Sequence, residues 1–376
     1  MSGVGGIVVL STLLLWTQHP LEALPDSELW SGSDLIALLS LFACLATVVF
    51  PLDLLGGFLL PNRWRPNTIS LGSFGVAWTR GVLTQGALFF AASLLILFMG
   101  RQLGVVGAAM AVAAIASVLV CSQLQIAKFV GALNTNGREE SDEASIIQQA
   151  QSLISEWGWK ELPITVLRHH DTGFTGGVVG LPGMETVVLP APTLTELSPE
   201  QLAIVIARRL EAIQSGSRTR GLLLALAWVI TGFALSTMIP GAGVTSVAGL
   251  TMTCLAFTLW TFLGLLTLTT LSRQASYAID GKVLQSGASP EMFKQTVKTL
   301  DTLQDDEPRR SALIETIFHP VPSVDNRDGE NSGNTPIAWH AARITLFVSW
   351  ACMGMLVRAV HCNVGRPELW VMLPTD

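Results

Sequence analysis

The stretch Leu197–Ile213, LSPEQLAIVIARRLEAI, decides how the rest of the chain is read. Ser198 followed by Pro199 is a helix start. The serine hydroxyl accepts from the amides of the first turn, and proline at the first helical position gives up only a donor that has no intrahelical partner. Glu200 places a negative charge where the helix dipole favours one. Leu202, Val205, Ile206, Leu210 and Ile213 recur at helical spacing and form one buried stripe. Arg208 and Arg209 follow one another in the second half of that helix.

The composition around it belongs to a membrane protein. The chain has 376 residues, of which 50% are hydrophobic and only 13% charged, and its mean hydropathy is +0.50. Soluble domains of this length carry about 25% charged residues. The net charge of −6 is modest, and nothing in it points to nucleic acid. Four of the five cysteines, Cys44, Cys121, Cys254 and Cys352, fall inside apolar runs, with Cys362 just after the last. They read as small hydrophobes rather than a disulfide framework.

Taken in order, residues 1–34 form an N-terminal segment. Its apolar part, Gly3–Trp16, is shorter than the roughly 20 residues a span needs, so an interfacial or packed helix is expected. It has no basic start and no small-residue cleavage site, which argues against a removed signal peptide. Residues 35–121 hold three expected transmembrane helices: one from Leu35 through Phe50 and on past Pro51, then Gly81–Met99 and Leu103–Cys121. Gly100-Arg101-Gln102 is the expected turn of a tight hairpin between the last two. Asp53, just after Pro51, reads as the cap of a restarted helix.

A polar region follows at residues 122–220, then a transmembrane hairpin at 221–271, a second polar region at 272–343, a last span at 344–360 and a tail at 361–376. The two polar regions are expected to be halves of one domain resting on the lipid bilayer. In the first, a helix begins at Ser141, and Pro163–Leu167 and Thr186–Leu189 are short β-rich runs joined by the glycine-rich DTGFTGGVVGLPG. Lysine and arginine are concentrated in the polar regions and beside Arg63 and Arg65. With six spans, all of these fall on one side, which the bias makes cytoplasmic.

The helix phrase resembles the active-site helix of the HtpX-like zinc metallopeptidases, the group that includes the membrane-bound CAAX prenyl endopeptidases. That family carries alanine-histidine-glutamate-leucine-glycine-histidine-isoleucine where this chain has Ala207-Arg208-Arg209-Leu210-Glu211-Ala212-Ile213. A later family helix, serine-arginine-x-x-glutamate-x-x-alanine-aspartate, matches Ser272-Arg273-Gln274-Ala275-Ser276-Tyr277-Ala278-Ile279-Asp280. The stretch from His319-Pro320 to Ser323-Val324-Asp325-Asn326-Arg327 is similar to the family's late histidine-proline and arginine segment. The resemblance spans residues 197–327, with the membrane hairpin in its place. It implies an α-helical polytopic membrane protein of about six spans, with a mainly α, small-β gluzincin-like peptidase domain.

It also implies where zinc would sit, and there the chain departs. In the family two histidines four apart grip zinc, the glutamate between them activates water, and a later glutamate completes the ligands. Arg208, Arg209, Ala212 and Ser276 stand at those positions. A guanidinium has no acceptor and a permanent charge, alanine has no donor atom, and a neutral hydroxyl is a poor zinc ligand. The expectation is a degenerate motif with no catalytic residues, no metal and no cofactor, although the family would bind zinc. His169, His170, Asp171 and His319 show no spacing that would rebuild a metal site.

Asp280 matches the family's conserved-frame aspartate, whose counterpart supports the first histidine. If the fold is kept, Arg208 is expected to pair with Asp280, its guanidinium standing in for the metal's charge. Phe174-Thr175-Gly176 occupy the family's substrate loop. They read either as a loop that takes up a substrate or partner by strand addition or as a packed phenylalanine and its neighbours. Three function classes follow: a catalytically inactive binding, scaffold or regulatory component with a membrane-protein partner; an active metalloendopeptidase with non-standard ligands; or a structural subunit of a larger membrane complex. The first is preferred, in a bacterial inner membrane.

Overall fold

Apolar helices dominate the computed structural model, which describes residues 2–18, 32–64, 69–130, 141–168, 174–304, 309–311, 315, 319, 321–327, 337–358 and 363–371. Four of the described helices are long and apolar enough to cross a membrane: Gly32–Arg63, Leu71–Cys121, Ser217–Ser236 and Val247–Gln285. The chain is an α-helical membrane protein.

Helix α1 (Ser2–Gln18) packs beside the helix that begins at Val247, with Val8 buried. Helix α2 (Gly32–Leu54) passes through Pro51 into a π-helical turn, Leu55–Leu59, and ends as α3 (Leu60–Trp64). Asp53 does not cap a restarted helix. It lies in the last turn of α2, 1% exposed, where Arg358 pairs with it and the Trp78 indole donates to its Oδ2 at 2.9 Å. A carboxylate within an apolar span needs such a partner, and the partner comes from 305 residues further along the chain.

Helix α4 (Leu71–Cys121) opens with Ser70 accepting from the Ser73 amide at 3.1 Å. Its two arms meet at Gly104, where φ is 63° and ψ is −153°. A straight helix would hold Gly107 about 12 Å from Met99. Instead a Cβ on Gly107 would lie 2.5 Å from the Met99 carbonyl, so the chain folds back there. The hairpin turn thus falls at Gly104 rather than at Gly100–Gln102. Arg101 holds that end, donating to Asp34 at 2.9 Å and to the Thr245 carbonyl at 2.7 Å. A positive φ with extended ψ is open almost only to glycine, so Gly104→Ala is expected to destabilise the protein by about 1–3 kcal/mol, read as a lower midpoint of detergent-phase unfolding.

Helices α5 (Gln123–Val130) and α6 (Ser141–Glu156) lead into a three-stranded sheet of β1 (Ile164–Leu167), β2 (Gly177–Val179) and β3 (Thr186–Pro190), in the order β1-β3-β2. β1 runs parallel to β3, and β2 antiparallel to it with Val178 opposite Val187. β2 arises from the glycine-rich stretch and was not legible as a strand. Gly176 has φ 88°, and a Cβ there would meet the Val188 carbonyl at 2.1 Å, so only glycine lets the chain turn onto β3.

Helices α7 (Ala191–Glu196), α8 (Pro199–Gln214) and α9 (Ser217–Ser236) follow, the last entering the membrane layer. Helix α10 (Val247–Gln285) starts at Ser246, which accepts from the Gly249 amide at 3.1 Å. At 39 residues it is about 58 Å long. It therefore carries Ser272–Asp280 out of the apolar layer without a break, and the boundary expected at residue 272 is a point on one continuous helix. Helix α11 (Pro290–Leu303) completes a separate core in which Ile154, Val187, Leu189, Leu202, Ile206 and Phe293 pack together.

The last expected span, 344–360, does not form one helix. Helix α12 (Ala341–Val348) runs into a 3-10 turn at Ser349–Cys352, and Met353 then takes φ 55°. A second 3-10 turn, Leu356–Arg358, and a short α13 (Glu368–Val371) follow. Val348, Trp350, Cys352 and Val357 are buried among the other helices. Hydropathy does not distinguish burial in protein from burial in lipid, and here the apolar run serves the protein interior. The expected count of six spans loses that helix.

Candidate functional site: an arginine–aspartate centre

Helix α8 forms because its start is fully capped. Ser198 Oγ accepts from the Gln201 amide at 3.3 Å, and Gln201 Oε1 accepts from the Ser198 amide at 3.0 Å. The stripe expected from spacing is wider in the structure: every residue from Gln201 to Leu210 is buried. That enclosure includes both arginines, at 3% and 2% exposure.

Charge at such burial requires partners, and the two arginines find different ones. Arg208 Nε donates to Asp280 Oδ1 at 2.7 Å. Arg327, from the loop after the 3-10 turn Val324–Asn326, grips the same carboxylate side-on, Nε to Oδ2 at 2.8 Å and Nη2 to Oδ1 at 3.1 Å. Asp280, 2% exposed, thus accepts three charge-assisted bonds from two guanidiniums. Arg209 instead serves the backbone, donating to the Val188 carbonyl at 3.2 Å and the Thr175 carbonyl at 2.6 Å. It fastens α8 to β3 and to the segment before β2.

The remaining motif positions are apolar or local. Ala212 sits in a small cluster with Ala275, Ile279 and Trp339, against which Val178 of the edge strand packs. Ser276 Oγ donates to the Ser272 carbonyl of its own helix at 3.3 Å. Two guanidiniums, a methyl and a hydroxyl do not fit a zinc ion, since none supplies a lone pair suited to it. Among the described residues no three His, Cys, Asp or Glu side chains come together as a metal site would need. His169, His170 and Asp171 lie outside the described residues.

Phe174, Thr175 and Gly176 are not an exposed loop. Phe174 is part of the core. Thr175 is buried, its carbonyl taken by Arg209 and its hydroxyl accepting from Gln304 Nε2 at 2.9 Å. The Thr175 carbonyl and hydroxyl are thus both engaged inside the domain.

Two features of the centre went unread in the sequence. Arg327 was quoted within a motif without a role, and Glu315 was not singled out. Glu315 is buried and accepts from the Ser323 amide at 3.2 Å, Ser323 Oγ at 2.8 Å and Asn326 Nδ2 at 2.7 Å. Those bonds shape the turn from which Arg327 reaches Asp280.

With this geometry in view, a comparison with solved structures finds a match to the crystal structure of S. mikatae Ste24p, with a TM-score of 0.64 over 86% of this chain and 79% of that chain. The fold is that of Ste24p. Sequence identity to Ste24p is 12%, so the likeness is one of fold alone. No family model and no curated protein sequence matches the chain. The Ste24p-like frame is therefore carried by three-dimensional arrangement, around a centre in which arginines hold Asp280.

Proposed function

We propose that this chain is a non-catalytic relative of the HtpX-like membrane zinc metallopeptidases, acting in the membrane as a binding, scaffold or regulatory component. Support comes from the ordered motif frame over residues 197–327 and from the likeness of fold to Ste24p. The observation that carries the reading is the double grip of Arg208 and Arg327 on Asp280. In it the first ligand position is given over to a buried ion pair in which two guanidiniums share one carboxylate.

The excess of lysine and arginine in the domain favours the cytoplasmic side of a bacterial inner membrane. That placement no longer draws support from a count of six spans. A reporter fused within residues 131–140 tests it, and a signal from outside the cytoplasm rejects it.

The functional test combines two assays on the full chain. Incubation with casein and with membrane-protein substrates is expected to yield no cleavage above a buffer control, with or without a chelator. Purification from mild detergent is expected to bring down a membrane-protein partner in substoichiometric, salt-sensitive amounts. Chelator-sensitive hydrolysis would reinstate an active endopeptidase. A fixed stoichiometric assembly would instead make the chain a structural subunit.

A further inference from the structure

Three polar side chains from distant parts of the chain meet inside the helical bundle. Asp53 lies in the last turn of α2, Gln85 in the first arm of α4 and Arg358 in the 3-10 turn Leu356–Arg358. They are 1%, 1% and 3% exposed. Arg358 Nη2 pairs with Asp53 Oδ2, which also accepts from the Trp78 indole, and Arg358 Nη1 donates to Gln85 Oε1 at 3.3 Å. A guanidinium only donates, so the oxygen of the Gln85 amide has to be the atom that faces it. Two residues after Asp53 the helix widens into the π-helical turn Leu55–Leu59, a deviation frequent at functional sites.

These bonds leave three atoms over. Asp53 Oδ1, Arg358 Nε and Gln85 Nε2 are buried and have no hydrogen-bond partner among the described residues. Each such atom costs about 1–3 kcal/mol if it stays unmatched, and native interiors rarely carry several together. Oδ1 and Nε are each one covalent position from the Nη2–Oδ2 contact, which places them at the same ion pair. Gln85 Nε2 belongs to the amide on the other arm of the guanidinium.

The leftover set is one acceptor and two donors. Asp53 repels an anion and Arg358 repels a cation, so the pair selects a neutral ligand that both donates and accepts. Its size is limited by the C-terminal segment packed over the site. A Cβ on Gly57 would meet Gly365 Cα at 2.5 Å, and one on Gly81 would meet Pro367 Cβ at 2.3 Å. Trp370 of α13 is 0% exposed, and its ring centre lies 4.6 Å from Arg358 Cζ. Contacts this close favour the smallest such ligand, and buried water characteristically makes about three bonds to otherwise unmatched groups.

We propose that the Asp53–Arg358 centre binds internal water, which donates to Asp53 Oδ1, accepts from Arg358 Nε and Gln85 Nε2, and is sealed beneath residues 363–371. The site goes beyond the functional reading above and does not depend on whether the chain cleaves anything. The competing arrangement is dry. A swing of Asp53 into side-on contact would join Oδ1 to Nε, and it would still leave the Gln85 amide without an acceptor.

Trp370 reports on this water. Full-length protein in nanodiscs is exposed to X-ray pulses, which make hydroxyl radicals from bound water in place, and separately to radicals generated in the bulk solvent. Oxidation is read by mass spectrometry and normalised to the intrinsic reactivity of each side chain. Under X-rays Trp370 is expected to react about tenfold faster than Phe233 and Phe257, which are equally buried. Bulk radicals are expected to leave all three at the same low rate. The double variant Asp53→Leu, Arg358→Met removes both ends of the bridge and is expected to bring Trp370 down to the phenylalanine rate. If that variant does not fold, the wild-type comparison decides alone. X-ray oxidation of Trp370 no faster than that of the phenylalanines means a dry centre and overturns the proposal. Rapid oxidation by bulk radicals means an open site, and labelling that survives in the double variant puts the water elsewhere; either result overturns it too.

Discussion

Replacing Asp280 with alanine is expected to destabilise the protein by about 3–5 kcal/mol, the range seen when one partner of a buried ion pair is removed. The carboxylate takes three bonds from Arg208 and Arg327, all three side chains being nearly inaccessible to water. Its loss leaves two guanidiniums side by side in a low-dielectric interior, where their mutual repulsion is poorly screened. Arg208→Met is expected to be milder, because Arg327 still covers both oxygens of Asp280. The triple variant Arg208→Met, Asp280→Leu, Arg327→Met removes charge and counter-charge together and is expected to recover most of the loss. Unfolding midpoints in detergent compare the four proteins. A loss under about 1 kcal/mol for Asp280→Ala, the range of exposed pairs, would mean the centre is far wetter than its burial implies.

Restoring zinc binding is expected to require the three ligand positions, 208, 212 and 276, to be reversed at once, and Arg209→Glu adds back the general base. Purified wild-type chain should carry no stoichiometric zinc, because Arg208, Arg209, Ala212 and Ser276 provide no ligand. The variant Arg208→His, Arg209→Glu, Ala212→His, Ser276→Glu should bind zinc at one per chain with a Kd of about 1 μM or tighter, roughly 8 kcal/mol. Helix α8 already places positions 208 and 212 one turn apart, and α10 carries position 276 unbroken alongside. Asp280 lies where it can orient a histidine at 208, a support that commonly changes metal affinity by about 10–100-fold. Any single reversal should fail, since one or two ligands do not hold the ion. Metal analysis after dialysis reads the result. Stoichiometric zinc in the wild type, lost on His319→Ala or His170→Ala, would show that ligands elsewhere had been overlooked.

The local signals were legible because they act over a few residues. Ser198-Pro199 announces the start of α8, and the cap bonds lie within one turn. The apolar runs announce long helices, and the spacing of Ser272 to Asp280 aligns them on one helix. The errors lie where a distant contact decides. Asp53 looked like a cap because its partner Arg358 is remote in sequence. Residues 344–360 looked like a span because hydropathy counts apolar atoms without knowing what surrounds them. Gly104 rather than Gly100 takes the turn, and only the backbone angle at each tells them apart. Strand β2 is three residues long and glycine-flanked, too short for alternation to register.

Within the centre the division is the same. That positions 208, 209, 212 and 276 cannot hold zinc follows from side-chain chemistry alone and needed no coordinates. What became of the arginines did. Arg208 reaches Asp280 across 72 residues, and Arg327 reaches it across 47. Arg209 donates to two carbonyls of the sheet region. Composition, helix starts and absent ligands are properties of residues and their near neighbours. Which buried charge meets which partner is settled by burial, and burial exists only once the chain has closed on itself.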